Sequence, residues 1–77
     1  MTRREMYCTL LAEAIVGETM AIRTYRELMR LAPTHLAKAA HLRMGSEEMI
    51  HRKIDQLLCS RYCGFGLSRI RTRKSRR

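Results

Sequence analysis

The first half of the chain carries one apolar stripe with helical spacing. Its members, separated alternately by four and three residues, are Leu11, Ile15, Glu18, Ile22, Tyr25, Met29 and Ala32. Side chains at this spacing share one face of an α-helix. The stripe therefore predicts a long helix with a single carboxylate, that of Glu18, among the apolar residues of its inner face. Because an unpaired buried carboxylate is costly, such a group is usually paired or bound to a metal.

The sequence also contains signals for the start and the end of this helix. Thr2 and Glu5 have the spacing of a capping box, in which each side chain accepts a hydrogen bond from the other residue's backbone N–H. Pro33 disfavours helix in the preceding residue and cannot continue the hydrogen-bond ladder. These signals predict a helix over residues 3–31. Gly17 lies within it, either as a tolerated weak helix former or as a point of close approach by a neighbouring helix.

A second helix is predicted over residues 35–62. Thr34 has the side chain of an N-cap, and Gly64 is a plausible C-terminal stop. The inner face expected for this helix comprises Leu36, Ala40, Met44, Glu48 with His51, Ile54 and Leu58. Since the connection is short, the two helices should be antiparallel neighbours. The predicted fold is therefore an all-α, antiparallel two-helix hairpin over residues 1–64 with a basic tail over residues 65–77.

Length indicates that this hairpin has a partner. A chain of 77 residues forms one small domain, near the size at which a single hydrophobic core is marginal. A two-helix hairpin cannot bury all of its apolar surface by itself. We therefore expect a homodimer or a larger homo-oligomer.

Several observations favour the cytoplasm. The longest apolar run falls far short of the roughly 20 residues that span a bilayer, and acidic residues interrupt any signal-peptide core near the N-terminus. The three cysteines suggest no disulfide framework, which fits a reducing compartment. Cys59 and Cys63 lack a second Cys or His pair at zinc-binding spacing. They are expected to be structural residues or simple thiols.

The candidate site combines residues of both helices. Glu48 and His51 lie one turn apart on one face of the second helix. Glu18 and Glu48 are each about 15 residues from the turn, so both carboxylates should lie roughly 22 Å from it and face each other. Tyr25 lies two turns nearer the bend on the Glu18 face. Glu-x-x-His alone is also compatible with a solvated helix surface, and Glu18 is what favours a metal site.

Four residues give the chain a family resemblance: Glu18, Tyr25 seven residues later, Glu48 thirty residues after Glu18, and His51. It resembles the ferritin-like superfamily, particularly rubrerythrins and the encapsulated ferritins, over about residues 10–58. The resemblance implies that two hairpins pair into a four-helix bundle with a di-iron site at the dimer interface. Glu18, Glu48 and His51 of each chain would be the metal ligands, and Tyr25 a nearby hydrogen-bonding residue. The implied activity is that of a ferroxidase, the oxidation of Fe(II) to Fe(III) by dioxygen.

The ligand chemistry does not select one metal. Carboxylates favour hard ions and imidazole favours first-row transition metals, so such a site suits iron or manganese. Zinc would also bind. The family resemblance implies iron as the cofactor, with manganese or zinc as alternatives.

The net charge of +9 is concentrated at one end. Residues 68–77 contain six basic residues and no acid: Arg69, Arg71, Arg73, Lys74, Arg76 and Arg77. Clustered arginines are typical of a surface that binds phosphate in RNA or DNA. The alternatives are a solubilising tail and a docking peptide for a protein shell.

Two functions follow from these patterns. The first is a ferritin-like di-metal protein acting in iron oxidation or storage, with the tail docking to a polyanion or another partner. The second is a small basic RNA- or DNA-binding structural protein, ribosomal or nucleoid-associated, built on a ferritin-like hairpin. Glu18 favours the first function and the tail favours the second.

Overall fold

The computed structural model describes residues 1–64, which form two helices, α1 (Arg3–Leu31) and α2 (His35–Tyr62). The helices pack against each other along their length, and residues 1–64 contain no strand. The prediction of an all-α two-helix hairpin is therefore confirmed for this part of the chain. The basic tail predicted over residues 65–77 lies outside the described residues.

The helix ends follow from side-chain caps. At the start of α1 the Thr2 hydroxyl accepts a hydrogen bond from the Glu5 N–H at 3.1 Å, and the Glu5 carboxylate accepts one from the Thr2 N–H at 2.8 Å. The Thr34 hydroxyl caps α2 by accepting from the N–H of Ala37 at 3.1 Å. After α2, Gly64 has a φ of 79°, a left-handed conformation that glycine adopts without steric cost. Each cap satisfies backbone groups that the end of a helix leaves unpaired.

The inner face predicted for α1 is confirmed. Leu11, Ile15 and Ile22 are its buried residues, and together with Cys59 of α2 they are the buried residues of the described chain. Ile15 and Cys59 are almost completely inaccessible. The core is thus a narrow strip between two helices, concentrated near the open end of the hairpin.

The inner face predicted for α2 is wrong in part. The half-buried and buried positions of α2 are Ala37, His41, Gly45, Glu48, Arg52, Asp55, Leu58, Cys59 and, just after the helix, Cys63. Leu36 is 82% exposed and Ile54 is 49% exposed. The small residues Ala37 and Gly45 let α1 approach α2, whereas the more apolar stripe of α2 lies beside the contact instead of in it.

A disulfide joins Cys8 to Cys63. The sequence-based expectation of no disulfide framework is therefore wrong, and Cys63 is not a thiol. The two residues are 55 positions apart in sequence, but the turn near Pro33 brings both ends of the hairpin together. Since disulfides persist in oxidising surroundings, the cysteines no longer support a reducing compartment, and the cytoplasm stays a prediction. Neither described helix is long and apolar enough to cross a membrane.

Candidate functional site

Four titratable side chains interact across the middle of the hairpin. Glu18 of α1 is influenced electrostatically by Asp55, Glu48 and His51 of α2. Glu48 is nearer the turn and Asp55 is nearer the open end, so Glu18 lies between two carboxylates. We call these four residues the acidic cluster.

Glu18 is the residue of this cluster that the fold affects most. Burial, the largest cause, acts together with the hydrogen bond and the charge of the Asp55 carboxyl, and the pKa of Glu18 is raised from 4.5 to about 7. The charge of Glu48 acts in the same direction, and His51 opposes it. One carboxylate oxygen, Oε1, is inaccessible to solvent and has no hydrogen-bond partner. A buried polar atom without a partner is uncommon in proteins and requires an explanation.

Glu48 and His51 form the Glu-x-x-His pair on α2. The Nδ1 atom of His51 lies 3.6 Å from Oε1 of Glu48. The Glu48 side chain is 29% exposed, and that of His51 is 61% exposed. Glu48 therefore points towards the helix contact while His51 lies at its solvent-facing edge, where its ring is accessible to a second molecule.

Asp55 belongs to the cluster but was not among the predicted site residues. It lies four residues after His51 and seven after Glu48, positions that share a helix face. This spacing was a usable signal. The predicted inner face of α2 includes Ile54, and therefore it leaves Asp55 out of the predicted site.

Tyr25 packs against α2, and its role as a hydrogen-bonding residue near a metal stays a prediction. Its ring stacks on that of His41, with centroids 6.3 Å apart. Its Cβ lies 3.2 Å from the position that a Cβ on Gly45 would occupy. Tyr25 thus packs on the turn side of the acidic cluster, and these contacts give it a packing role. His41 is half-buried, and its Nδ1 atom has no hydrogen-bond partner.

On the side of the helix contact away from the acidic cluster, a cationic side chain of α2 donates a hydrogen bond to a hydroxyl of α1. Arg52 Nη1 donates to Oγ1 of Thr19 at 3.3 Å, and that hydroxyl donates to the Ile15 carbonyl at 2.9 Å. Glu47 is exposed, and its Oε2 atom lies 3.8 Å from Nε of Arg43. Arg52, the residue after His51, therefore forms a hydrogen bond with a hydroxyl of α1.

Within residues 1–64, no three His, Cys, Asp or Glu residues are placed so that they could hold a metal ion. A single hairpin thus offers only part of a coordination sphere, and the ligand roles of Glu18, Glu48 and His51 stay predictions. The basic residues from Arg69 to Arg77 that were predicted to bind nucleic acid lie outside the described part of the chain.

Comparison with known proteins adds no assignment. The chain matches no protein-family model, no curated protein and no solved structure. Its function must be argued from the hairpin and the acidic cluster.

Proposed function

We propose that two copies of this chain pair into a four-helix bundle and bind two transition-metal ions between them. Each copy would contribute Glu18, Glu48 and His51. The observation that carries this proposal is the buried, unpartnered carboxylate oxygen of Glu18 beside two further acidic side chains. A metal ion is the partner that best explains three carboxylates gathered around so little positive charge.

The apolar surface of the hairpin supports pairing of two copies. At about 100° per residue, the α2 stripe of Leu36, Ala40, Met44, Ile54 and Leu58 projects to the same side of the hairpin as an α1 stripe. The α1 stripe comprises Leu10, Ala14, Gly17, Ala21 and Leu28. We call this side the apolar face. Leu10 is 63% exposed and Leu36 is 82% exposed, so a large apolar area is left for a partner.

The acidic cluster lies at the same side. By the same angular count, Glu18, His51 and Asp55 are displaced from the helix contact towards the apolar face, whereas Arg52 and Thr19 are displaced away from it. Two hairpins packed face to face would bring two such clusters together. The second copy would then complete a coordination sphere that one hairpin lacks.

The residues fit a transition metal in chemical type. Carboxylates and imidazole suit iron and manganese, and zinc accepts the same donors. The chemistry that bound iron would supply is oxidation of Fe(II) to Fe(III), with dioxygen as the electron acceptor. The role of the chain is to desolvate Glu18, to keep Glu48 at the helix contact and to present the accessible ring of His51. Asp55 could accept a hydrogen bond from a ligand or serve as an additional ligand.

Metal titration tests this proposal. Protein freed of metal with a chelator is titrated with Mn(II), Zn(II) and, without oxygen, Fe(II), while thermal stability and bound metal are measured. Wild type should bind one metal ion per chain and gain stability as the metal concentration exceeds the dissociation constant. Glu48→Ala should abolish both effects without loss of helicity. Glu47→Ala, which changes the exposed neighbour of Glu48, is the matched control and should behave as wild type.

The contrary result is equally clear. Wild type indifferent to all three metals, or equal metal binding by the Glu48→Ala and Glu47→Ala variants, would refute the metal site. Consumption of dioxygen by the Fe(II)-loaded protein separates a ferroxidase from a protein that only binds metal.

A second candidate function is binding of RNA or DNA through the tail, favoured by the six basic residues and no acid in residues 68–77. Such binding would be electrostatic. Six neutralised phosphates give a log–log salt dependence of roughly −4 to −5, from about −0.7 to −0.9 per phosphate. This function and metal binding are compatible in one molecule.

Charge-matched variants test this candidate. Replacing Arg69, Arg71 and Arg73 with glutamine should cut the salt dependence of RNA binding by about half. The control variant removes three exposed charges from the hairpin through Arg23→Gln, Arg26→Gln and Lys38→Gln. It should change the salt dependence of RNA binding little. Equal slopes for the two triple variants would refute binding through the tail.

A further inference from the structure

The open end of the hairpin contains a cavity of about 540 Å³ lined by Arg3, Arg4, Tyr7 and Tyr62. Both tyrosines are accessible, Tyr7 at 42% and Tyr62 at 49%. No acidic residue lines this cavity. Two tyrosines and two arginines thus line one shallow, open depression, which we call the end cavity.

Two interactions hold this arrangement across the helices. The Cys8–Cys63 disulfide joins the residue after Tyr7 to the residue after Tyr62. In addition, Arg4 Nε donates a hydrogen bond to the Tyr62 carbonyl oxygen at 2.8 Å. The disulfide and this hydrogen bond therefore keep the start of α1 next to the end of α2, where the lining residues of the cavity lie.

We propose that the end cavity binds single-stranded nucleic acid by stacking a base on Tyr7 or Tyr62 while Arg3 contacts a phosphate. Aromatic rings next to arginines are the combination that binds single strands, because every base has a face that stacks and every nucleotide has a phosphate. Arg4, whose Nε is used by the Tyr62 carbonyl, acts mainly in positioning. A planar anionic ligand matches both the rings and the positive charge.

The surroundings of the cavity favour a nucleic acid strand over the chain's own tail. Residues 68–77 of the tail are all neutral or positive and would be repelled by Arg3 and Arg4. This inference rests on the second candidate function above, and it adds a contact to bases that residues 68–77, which include no aromatic residue, do not supply.

The test uses the full chain, with its disulfide intact, and two fluorescent probes of equal length. One is a 12-nucleotide oligouridine and the other is an abasic sugar-phosphate oligomer. Wild type should bind the oligouridine more tightly than the abasic probe. Tyr7→Leu, Tyr62→Leu or both should weaken oligouridine binding by on the order of 10-fold and leave abasic binding unchanged. Tyr7→Phe and Tyr62→Phe keep the ring and should retain wild-type affinity.

The arginine is tested with a charge-matched pair. Arg3→Gln should weaken binding of both probes more than Arg23→Gln, which removes one exposed charge far from the cavity on the same helix. Circular dichroism confirms that each variant is folded.

The outcomes separate this site from the tail. Equal binding of both probes by wild type, or no effect of either leucine variant, overturns the end cavity while nucleic acid binding by the tail stands. Failure of wild type to bind either probe overturns both. Loss of affinity in the phenylalanine variants equal to that in the leucine variants would also overturn base stacking.

Discussion

Glu18 is a carboxylate that α1 and α2 together remove from water, and this determines how the metal-free protein responds to pH. Its pKa is raised from 4.5 to about 7 by burial and by its acidic neighbours. Between these two values the folded protein binds a proton that the unfolded chain has lost. The free energy of unfolding therefore falls as pH rises across this window. The stability is fully present below pH 4.5 and is lost as pH rises through about 7.

Glu18→Gln should remove this pH dependence, since glutamine cannot ionise. At pH 8 the variant should be more stable than wild type by about 2 kcal/mol, from roughly 1.4 kcal/mol per pKa unit reduced for partial solvation. Urea unfolding in the presence of a chelator, at several pH values, measures the free energy of unfolding of the variant and of wild type. Glu13→Gln, at an exposed position of α1, is the control. The prediction would be contradicted if the free energy of unfolding of Glu18→Gln fell with pH as steeply as that of wild type.

Two glycines of the helices should respond oppositely to alanine. A Cβ at Gly17 would meet nothing within 4 Å, so close approach by α2 is not the reason for this glycine. Gly17→Ala should stabilise the hairpin by about 0.5–1 kcal/mol. A Cβ at Gly45 would lie 3.2 Å from Cβ of Tyr25, an atom fixed to its backbone. Gly45→Ala should therefore destabilise by about 1 kcal/mol, because overpacking exceeds the gain in helix propensity.

Thermal denaturation of both glycine variants at one protein concentration measures this difference. Stabilisation by Gly45→Ala would show that α1 and α2 can move apart without cost.

At the scale of the elements, the disulfide is the strongest constraint on the pairing of α1 with α2. It closes a loop of 55 positions between Cys8 and Cys63. A cross-link of this span lowers the entropy of the unfolded chain and contributes about 4 kcal/mol of stability. Because the hydrophobic core is small, the disulfide supplies a large part of the total free energy of unfolding.

The variant in which both Cys8 and Cys63 are serine should unfold at a correspondingly lower temperature. Reductant should lower the unfolding temperature of wild type to about that of the double variant and leave the double variant unchanged. Wild type insensitive to reductant would contradict the assignment of this stability to the disulfide.

The two helices also show where sequence patterns succeed and where they fail. The α1 stripe through Leu11, Ile15 and Ile22 is buried as predicted, because the most apolar face of α1 meets α2. The corresponding rule fails for α2, where Ile54 is exposed and Asp55 turns towards Glu18. The pattern locates an apolar face but cannot say which neighbour covers it, so Asp55 was missed. Cys8–Cys63 was missed because the sequence-based argument considered cysteine spacing without the hairpin geometry.

At the scale of the whole molecule, the exposed apolar face predicts self-association. Sedimentation at micromolar concentration should show a dimer or a larger oligomer, tightened by Fe(II) or Mn(II). Ile54→Glu puts a charge on the apolar face and should shift the protein towards monomer. Leu42→Glu, similarly exposed at 53% against 49% for Ile54 but on the opposite side, should not.

A stable, monodisperse wild-type monomer would contradict both the half-bundle and the shared metal site. Equal dissociation by the two glutamate variants would place the interface elsewhere.

The position of the disulfide also determines how the molecule carries mechanical load. A pull on the C-terminal tail reaches Cys63 and passes through the bond to Cys8 in the second turn of α1, bypassing the contacts between the helices. A pull between the N-terminus and the tail therefore cannot unzip the hairpin, because the segment from Cys8 to Cys63 is closed into a covalent ring. Whatever the tail is anchored to, the helix pair would remain paired under tension.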